Sequence, residues 1–194
     1  MGPSPASSGI LWHAAPVHVT ASLHVTDLKA GLTSREATFR HSVVAASAWC
    51  DALRHSRLCA LAAEKASVLR DGRPCELPVF ELVPGDVISV HEGDLVPADA
   101  RLVTAHELFC DESELTGRAI SGKSAREVGS DVSVAQQRSM IFCGSRVLLG
   151  SGLAIVVATG LETEIGRKLC AEREAVLEQT RTIRGEPSLA SAPE

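Results

Sequence analysis

The sequence predicts a mainly β domain, an antiparallel barrel or roll, with α-helices on both sides of it. Between Ser67 and Thr159, short apolar runs alternate with turns that contain Gly, Pro and Asp, a pattern typical of antiparallel sheets. Before and after this region the apolar residues recur at helical spacing. The chain has 194 residues, of which 45% are apolar. It can therefore bury the core of one domain of ordinary size.

Residues 1–26 are expected to form a disordered N-terminus. They contain no Asp, Glu, Lys or Arg, and Pro3, Pro5 and Pro16 interrupt them. The segment lacks both the basic start and the unbroken apolar run of a secretory signal peptide. Because the segment is expected to be disordered, its histidines are expected to lie in solvent. They are His13, His18 and His24.

Residues 27–66 are predicted to form N-terminal helices. Thr33 is placed to cap a short first helix, because Glu36 follows three residues later and completes a capping box. A second helix is expected over His41–Ala66, a stretch without Gly or Pro that is rich in Ala, Leu and Arg. Most of its charged residues fall away from its apolar stripe, so this helix is predicted to be amphipathic.

The predicted β domain occupies residues 67–168. It begins with a hairpin whose arms, Val68–Arg70 and Arg73–Leu77, flank an Asp71-Gly72 turn. Helical spacing returns over Glu162–Arg184, so residues 169–194 are predicted to be a C-terminal helix and a frayed tail. Further strand candidates between turns are Asp86–His91, Ala100–Ala105, Glu107–Cys110, Ser139–Cys143, Ser145–Leu149 and Gly152–Thr159.

Composition argues against several kinds of function. A net charge of −5 without a Lys/Arg run gives no electrostatic footprint for nucleic acid. The longest charge-free run after the N-terminus, residues 147–161, is shorter than the ~20 residues that cross a bilayer. We therefore expect a cytoplasmic chain without direct membrane insertion. The cysteines are widely spaced without metal-ligand spacing, which predicts buried free thiols and no metal site. They are Cys50, Cys59, Cys75, Cys110, Cys143 and Cys170.

Residues Gly117–Ser124 match the phosphate-loop pattern G-x-x-x-x-G-K-[ST], with Gly117, Gly122, Lys123 and Ser124 at its defining positions. A true phosphate loop needs a buried parallel strand before the first Gly and a helix that opens at the Lys. Here three carboxylates lie in the six residues before the pattern, and a short polar stretch with a glycine follows it. These carboxylates would repel a polyphosphate. The sequence therefore predicts a chance match, without a nucleotide or other cofactor.

Carboxylates in or beside the turns are candidates for catalysis. Asp86, Asp94 and Asp99 each follow Gly or Ala in a turn, where a carboxylate commonly accepts hydrogen bonds from backbone N–H groups. Asp111 and Glu112 are adjacent residues that leave a strand, so their side chains point apart. We expect structural roles for all of them, with the last two shaping the loop that follows.

Segments in order along the chain resemble the actuator domain of cation-transporting P-type ATPases. They are Val83–Val87 (VPGDV), Glu92–Leu102 (EGDLVPADARL), Asp111–Gly117 (DESELTG) and Val157–Gly166 (VATGLETEIG). Four motifs in register over roughly residues 67–168 are far more specific than one short pattern. The resemblance implies a distorted jelly roll and a pump that uses Mg-ATP through other domains. It also implies that a T-G-E-S loop enters the phosphorylation site, where its Glu positions the water that hydrolyses the aspartyl-phosphate.

This chain departs from the T-G-E-S loop at the reactive position. Thr116 and Gly117 match the T-G, but Arg118 stands at the Glu position and Ala119 at the Ser position. A guanidinium stays protonated and offers no acceptor to a water molecule, so we expect no intact catalytic residue. The phosphorylation sequence D-K-T-G-T is absent as well. Together these features predict a solitary actuator-like domain, a truncated or degenerate pump fragment that is inactive by itself.

Two other hypotheses stay open. The first is a regulatory module that docks on an intact P-type pump, with the phosphorylation domain of that pump as its partner. The second, less favoured by the flanking residues, is a nucleotide-binding protein that uses Gly117–Ser124. The sequence does not indicate which cation a related pump carries, because ion choice lies in membrane helices that this sequence does not contain.

Overall fold

The structure, a computed structural model, describes residues 10–45 and 63–184. These residues form one antiparallel sheet of seven strands, in the order β2-β1-β3-β7-β4-β5, with β6 paired to β4. The fold-class prediction is confirmed. The helices are α1 (Val17–Leu23), α2 (Ser34–Ala45), α3 (Ser113–Thr116) and α4 (Glu164–Arg184). The strands are β1 (Lys65–Arg70), β2 (Arg73–Pro78), β3 (Val87–His91), β4 (Asp99–Glu112), β5 (Arg118–Gly122), β6 (Met140–Ile141) and β7 (Arg146–Ala158).

The β1–β2 hairpin forms as the Asp71-Gly72 turn predicts. Both turn residues have positive φ, 51° and 72°, which matches the right-handed twist of the two strands. The register pairs Arg70 with Arg73 and Val68 with Cys75. Strand β1 begins at Lys65, two residues before the predicted start of the β domain.

The two longest strands, β4 and β7, are continuous where the sequence predicts breaks. Their pairing shifts register at several points between Asp99 and Cys110. One irregularity brings Gly150, with φ of 82°, so close to the backbone of Glu107 that a Cβ would lie 2.3 Å from its carbonyl oxygen. The turn residues Gly150-Ser151-Gly152 therefore lie within β7 and do not end it, because a β-bulge uses the same residue types as a turn.

The core is a cluster of buried apolar side chains drawn from β1, β2, β3, β4, β6, β7 and the turns between them. A single sheet that buries its own core must curve around it, as in a roll. The cluster consists of Ala66, Val68, Leu77, Val79, Leu82, Ile88, Val90, Val96, Ala98, Ala100, Leu102, Leu108, Cys110, Ile141, Val147, Ala154 and Val156.

Helix α2 begins directly after Thr33, as predicted, but it continues through His41, where the sequence predicts the start of a second helix. The Glu36 N–H donates to Thr33 Oγ1 at 3.2 Å, while the Glu36 carboxylate pairs with Arg40 at 2.8 Å. The helix runs to Ala45, and residues 46–62 lie outside the described part. The predicted helix end at Ala66 is wrong, because that residue belongs to β1.

The expectation of a disordered N-terminus is wrong for residues 10–26. They include α1, and the sheet holds the segment through backbone acceptors: Ser139 Oγ donates to the His13 carbonyl at 2.8 Å and Arg101 Nε to the Ala15 carbonyl at 3.2 Å. His13 and His24 are buried, contrary to expectation. Burial, assisted by the charge of Arg40, lowers the pKa of His24 to about 4. Residues 1–9 lie outside the described part.

Helix α4 begins at Glu164, inside the predicted β domain, and continues to Arg184. Residues 185–194, the predicted tail, lie outside the described part. None of the helices that the structure describes is long and apolar enough to cross a bilayer.

Candidate functional site: the loop between β4 and β5

A tight reversal follows the end of β4. Strand β4 ends at Glu112, the single turn of α3 follows, and β5 begins at Arg118. Asp111 Oδ1 accepts the Ser113 N–H at 2.9 Å. Thr116 Oγ1 donates to the Glu112 carbonyl at 3.1 Å and accepts the Arg118 N–H at 3.3 Å. These side-chain bonds hold the loop in place of strand pairing.

Gly117 lies at the point where the chain turns back. Its φ of 76° and ψ of 6° are left-handed, a conformation that glycine adopts without strain. A Cβ would meet no atom within 4 Å, so the requirement for glycine is conformational and not steric. The next residues, Arg118, Ala119 and Ile120, are exposed, and Ile120 is 70% accessible. The loop therefore presents Gly117, Arg118 and Ala119 to solvent, while Thr116 is half-buried.

The first turns of α4 pack against α3 and hold the loop in place. Leu115 packs against a small cluster that includes Cys143 and Ile165. Lys168 Nζ donates to the Glu114 carbonyl at 2.6 Å. Because this bond uses the carbonyl, it fixes the backbone of α3 and places a cation near the loop.

Beneath the loop lies a buried ion pair. Lys123 Nζ contacts Glu112 Oε1, and the two side chains are 1% and 0% exposed. The ammonium also lies 5.1 Å from the centroid of the Phe142 ring, within the range of a cation–π interaction. Within the described residues, neither carboxylate oxygen of Glu112 has a hydrogen-bond partner, so the ion contact through Oε1 is its compensation.

Comparison with known proteins agrees with this geometry. Residues 60–170, more than half of the chain, match the family described as the P-type ATPase actuator domain. The chain belongs to that family. Over 102 residues it is 43% identical to Calcium-transporting ATPase 1 of Schizosaccharomyces pombe, a match that covers 52% of this chain and 11% of that protein.

The chain is also similar to a second curated ATPase and to a solved ATPase structure. The chain is 39% identical over 124 residues to Calcium-transporting ATPase 2, endoplasmic reticulum-type, of Arabidopsis thaliana, which covers 61% of this chain and 12% of that protein. A solved zinc-transporting PIB-type ATPase in the E2.Pi state matches with a TM-score of 0.46 and 27% identity, covering 72% of this chain and 20% of that one. The chain thus spans about one tenth of the length of the curated relatives it matches.

The residues that match the phosphate-loop pattern do not have the backbone structure of a nucleotide-binding phosphate loop. The pattern runs through β5, which pairs antiparallel with β4. No helix opens at Lys123; in residues 63–184 the next helical turn after β5 is the 3-10 turn Val134–Gln136. The Lys123 ammonium contacts Glu112, and the Ser124 N–H donates to the Arg138 carbonyl at 2.9 Å.

Carboxylates of the actuator turns accept backbone N–H groups. Asp86 accepts the Val83 N–H at 2.9 Å, and Asp94 accepts the His91 N–H at 2.8 Å. Asp99 accepts the N–H groups of Cys143 at 2.8 Å and Glu164 at 2.7 Å. These contacts are the structural roles predicted for the three residues.

Asp99 is the most perturbed of these carboxylates. Burial raises its pKa to about 7, although the two N–H donors and the charge of Arg167 act in the opposite direction. Its bond to the Glu164 N–H satisfies the first N–H group of α4 and connects the helix to the sheet. Asp99 therefore anchors the helix that supports the loop.

The thiol prediction holds for two of the described cysteines. Cys110 and Cys143 are buried and free. Burial raises the pKa of the Cys110 thiol to about 12 and raises that of Cys143 as well, so both are unreactive. Cys75, on β2, is exposed and Cys170, on α4, is half-buried, both contrary to expectation. Cys50 and Cys59 lie outside the described part. In residues 10–45 and 63–184, no group of His, Cys, Asp and Glu is suited to hold a metal ion.

Sequence reasoning missed two features of the site: strand β5 and the ion pair between Glu112 and Lys123. Strand β5 is mostly exposed and has no alternating apolar pattern, so periodicity cannot reveal it. The ion pair joins residues eleven positions apart across a register shift. No local spacing rule predicts such a contact.

Proposed function

We propose that the β domain of this chain is an actuator module that docks at the phosphorylation site of a cation-transporting P-type ATPase without promoting hydrolysis of the aspartyl-phosphate. One observation carries this proposal. Arg118 is exposed directly after the left-handed Gly117, at the place where the resemblance puts the Glu that positions water.

The exchange of Glu for Arg reverses the chemistry of the loop. A carboxylate can accept a proton from water, whereas a guanidinium only donates. The loss of such a group from an organised site costs roughly 10²- to 10⁴-fold in rate. The guanidinium can instead pair with phosphate oxygens through two parallel hydrogen bonds. A loop that keeps its shape but has Arg118 is thereby suited to bind the phosphorylated site and unsuited to discharge it.

A second candidate function uses the same surface in trans: a regulatory module that docks on an intact pump from the cytoplasmic side. The exposure of the whole loop tip from Gly117 to Ile120 favours it, because a partner can reach these residues without rearrangement of the domain. Its partner is then the phosphorylation domain, in competition with the pump's own actuator.

The deciding experiment transfers the loop into a complete P-type cation pump. We expect the chimera that contains Thr116 to Ala119 of this chain to accept phosphate from ATP, because the attacking Asp belongs to another domain. Its phosphoenzyme should decay about 10²- to 10⁴-fold more slowly than that of the parent pump. Labelling with radioactive ATP followed by a chase with unlabelled ATP measures both steps.

Matched variants separate the reactive residue from its surroundings. Arg118→Glu in the chimera restores the acceptor, and Arg118→Glu with Ala119→Ser restores the full T-G-E-S sequence. Recovery of decay in these variants supports the proposal. A chimera with Arg118 that turns over as fast as its Arg118→Glu counterpart contradicts it.

A further inference from the structure

The Lys of the phosphate-loop pattern occupies a specific position in the fold. Glu112 is the last residue of β4, and Lys123 directly follows β5. The buried pair between their side chains therefore joins the two ends of residues 113–122, the segment that presents Arg118. A contact at this place can determine how the whole loop is presented.

The pair is not explained by stability alone. Both side chains are almost completely buried, and removal of two charges from water is costly. Apolar side chains of similar size are commonly as stable or more stable at such positions. Neither oxygen of Glu112 has a hydrogen-bond partner among the described residues apart from the ion contact of Oε1, so the burial of this carboxylate is only partly compensated. In some proteins a buried polar or charged group instead selects one arrangement, and the best-documented case is the register of coiled coils.

The apolar pattern of β5 does not specify its own register. In the structure Ser121 is buried and Ile120 is 70% exposed, the reverse of what hydrophobicity favours. The pairing changes register between Cys110 and Glu112. Because side chains alternate along a strand, a slip of one residue would turn Ile120 inward and Ser121 outward. Hydrophobic burial therefore favours the slipped register.

We propose that the Glu112–Lys123 pair fixes the register of β5 against β4 and thereby positions Gly117 and Arg118. A slipped β5 would move Lys123 away from Glu112 and leave the carboxylate buried without a cation, which is strongly unfavourable. The pair thus opposes the slip that Ile120 would favour. Lys123 is a positioning residue: it acts on the loop through β5. The docking consequence rests on the proposed function, whereas the register itself is a property of the isolated chain.

The test uses the full chain with Glu112→Met and Lys123→Met combined, which removes both charges and approximately keeps the volume. We expect a urea midpoint close to that of the unchanged protein, because no charge is left buried alone. Backbone amides of residues 117–122 should exchange at least about tenfold faster, while those of β3 and β7 stay unchanged. The NMR contact between Phe109 and Gly122, which pair in the structure, should be lost.

Two comparisons make this test decisive. The conservative variant Lys123→Arg keeps the charge and should retain slow exchange and the Phe109–Gly122 contact. If the double Met variant keeps slow exchange and that contact, or if it fails to fold while Lys123→Arg folds, the positioning role is wrong. Docking to the phosphorylated pump is measured separately. Failure of the unchanged chain to dock would contradict the proposed function and leave the register result intact.

Discussion

The turn that ends at Asp86 and the loop that contains Arg118 are both tight reversals with a glycine at positive φ, 100° at Gly85 and 76° at Gly117. At Gly85 a Cβ would lie 2.3 Å from Arg40 Nη1, whereas at Gly117 nothing lies within 4 Å. Asp86 is fully buried, while Arg118 is exposed. One reversal is enclosed by the rest of the domain, and the other is open to solvent.

The difference separates residues that stabilise the fold from residues that are exposed to solvent. Arg70 forms a bidentate pair with Asp86, with its Nε at 2.9 Å and its Nη2 at 2.7 Å from the two carboxylate oxygens. This turn belongs to a segment that resembles the family motif. In the open loop, Arg118 and Ala119 stand where the resemblance implies Glu and Ser, and both residues are exposed. Exposed positions of this kind can therefore change without loss of the fold.

The largest stability effect should follow from Asp86→Ala. The substitution leaves Arg70, whose side chain is 13% exposed, without its carboxylate and removes the acceptor of the Val83 N–H. Loss of one partner of a buried pair costs about 3–5 kcal/mol. Urea denaturation followed by circular dichroism measures this loss.

Two variants provide controls for that measurement. Asp94→Ala removes a carboxylate that is 49% exposed and accepts one N–H from His91, so it should cost about 1 kcal/mol. Arg118→Ala, at an exposed site, should stay within about 0.5 kcal/mol. A loss for Arg118→Ala as large as that for Asp86→Ala would contradict the distinction between the two reversals.

The parts of the fold that depend on local sequence could be predicted, and the parts that depend on contacts between distant residues could not. The Asp71-Gly72 hairpin and most strand positions could be predicted because turn residues and apolar periodicity act locally. The continuity of β4 and β7 could not, since the bulge at Gly150 depends on its contact with the backbone of Glu107. Helix α1 was missed for a similar reason: its segment is held by Arg101 and Ser139, which are distant in sequence.

A smaller effect is expected in the pH dependence of stability. Burial raises the pKa of Asp99 from 3.8 to about 7, so the folded protein binds this proton more tightly than the unfolded chain does. The stabilisation is therefore fully present below about pH 4 and is lost as the pH rises to about 7. A difference of about three between the two pKa values corresponds to at most about 4 kcal/mol.

Asp99→Asn supplies the comparison, because the amide does not titrate. Between pH 4 and pH 7 the free energy of unfolding of the unchanged protein should fall relative to that of the variant. Parallel curves for the two proteins would show that the Asp99 pKa is not raised. Arg118→Ala, measured in the same way, should leave the pH dependence unchanged because its site is open to solvent.

The part of the site that could not be predicted from sequence consists of contacts between different secondary-structure elements. The positions of Thr116, Gly117 and Arg118 on a loop follow from local sequence, and the family match confirms the domain to which the loop belongs. The support by Lys168 and the pair between Glu112 and Lys123 depend on where α4 and β5 pack. No local pattern determines that packing.

The last prediction is that nucleotides do not bind to the loop. It tests whether Lys123 stabilises the fold or contacts phosphate. Its ammonium is buried against Glu112, and the residues before it form an antiparallel strand. They do not form the strand–loop–helix arrangement that holds phosphates. Calorimetry with Mg-ATP should therefore give no binding heat for the unchanged chain or for Ser124→Ala, which alters the pattern without touching the buried pair. Micromolar binding of Mg-ATP that Ser124→Ala abolishes would show that the loop binds nucleotide. It would contradict the structural role of Lys123.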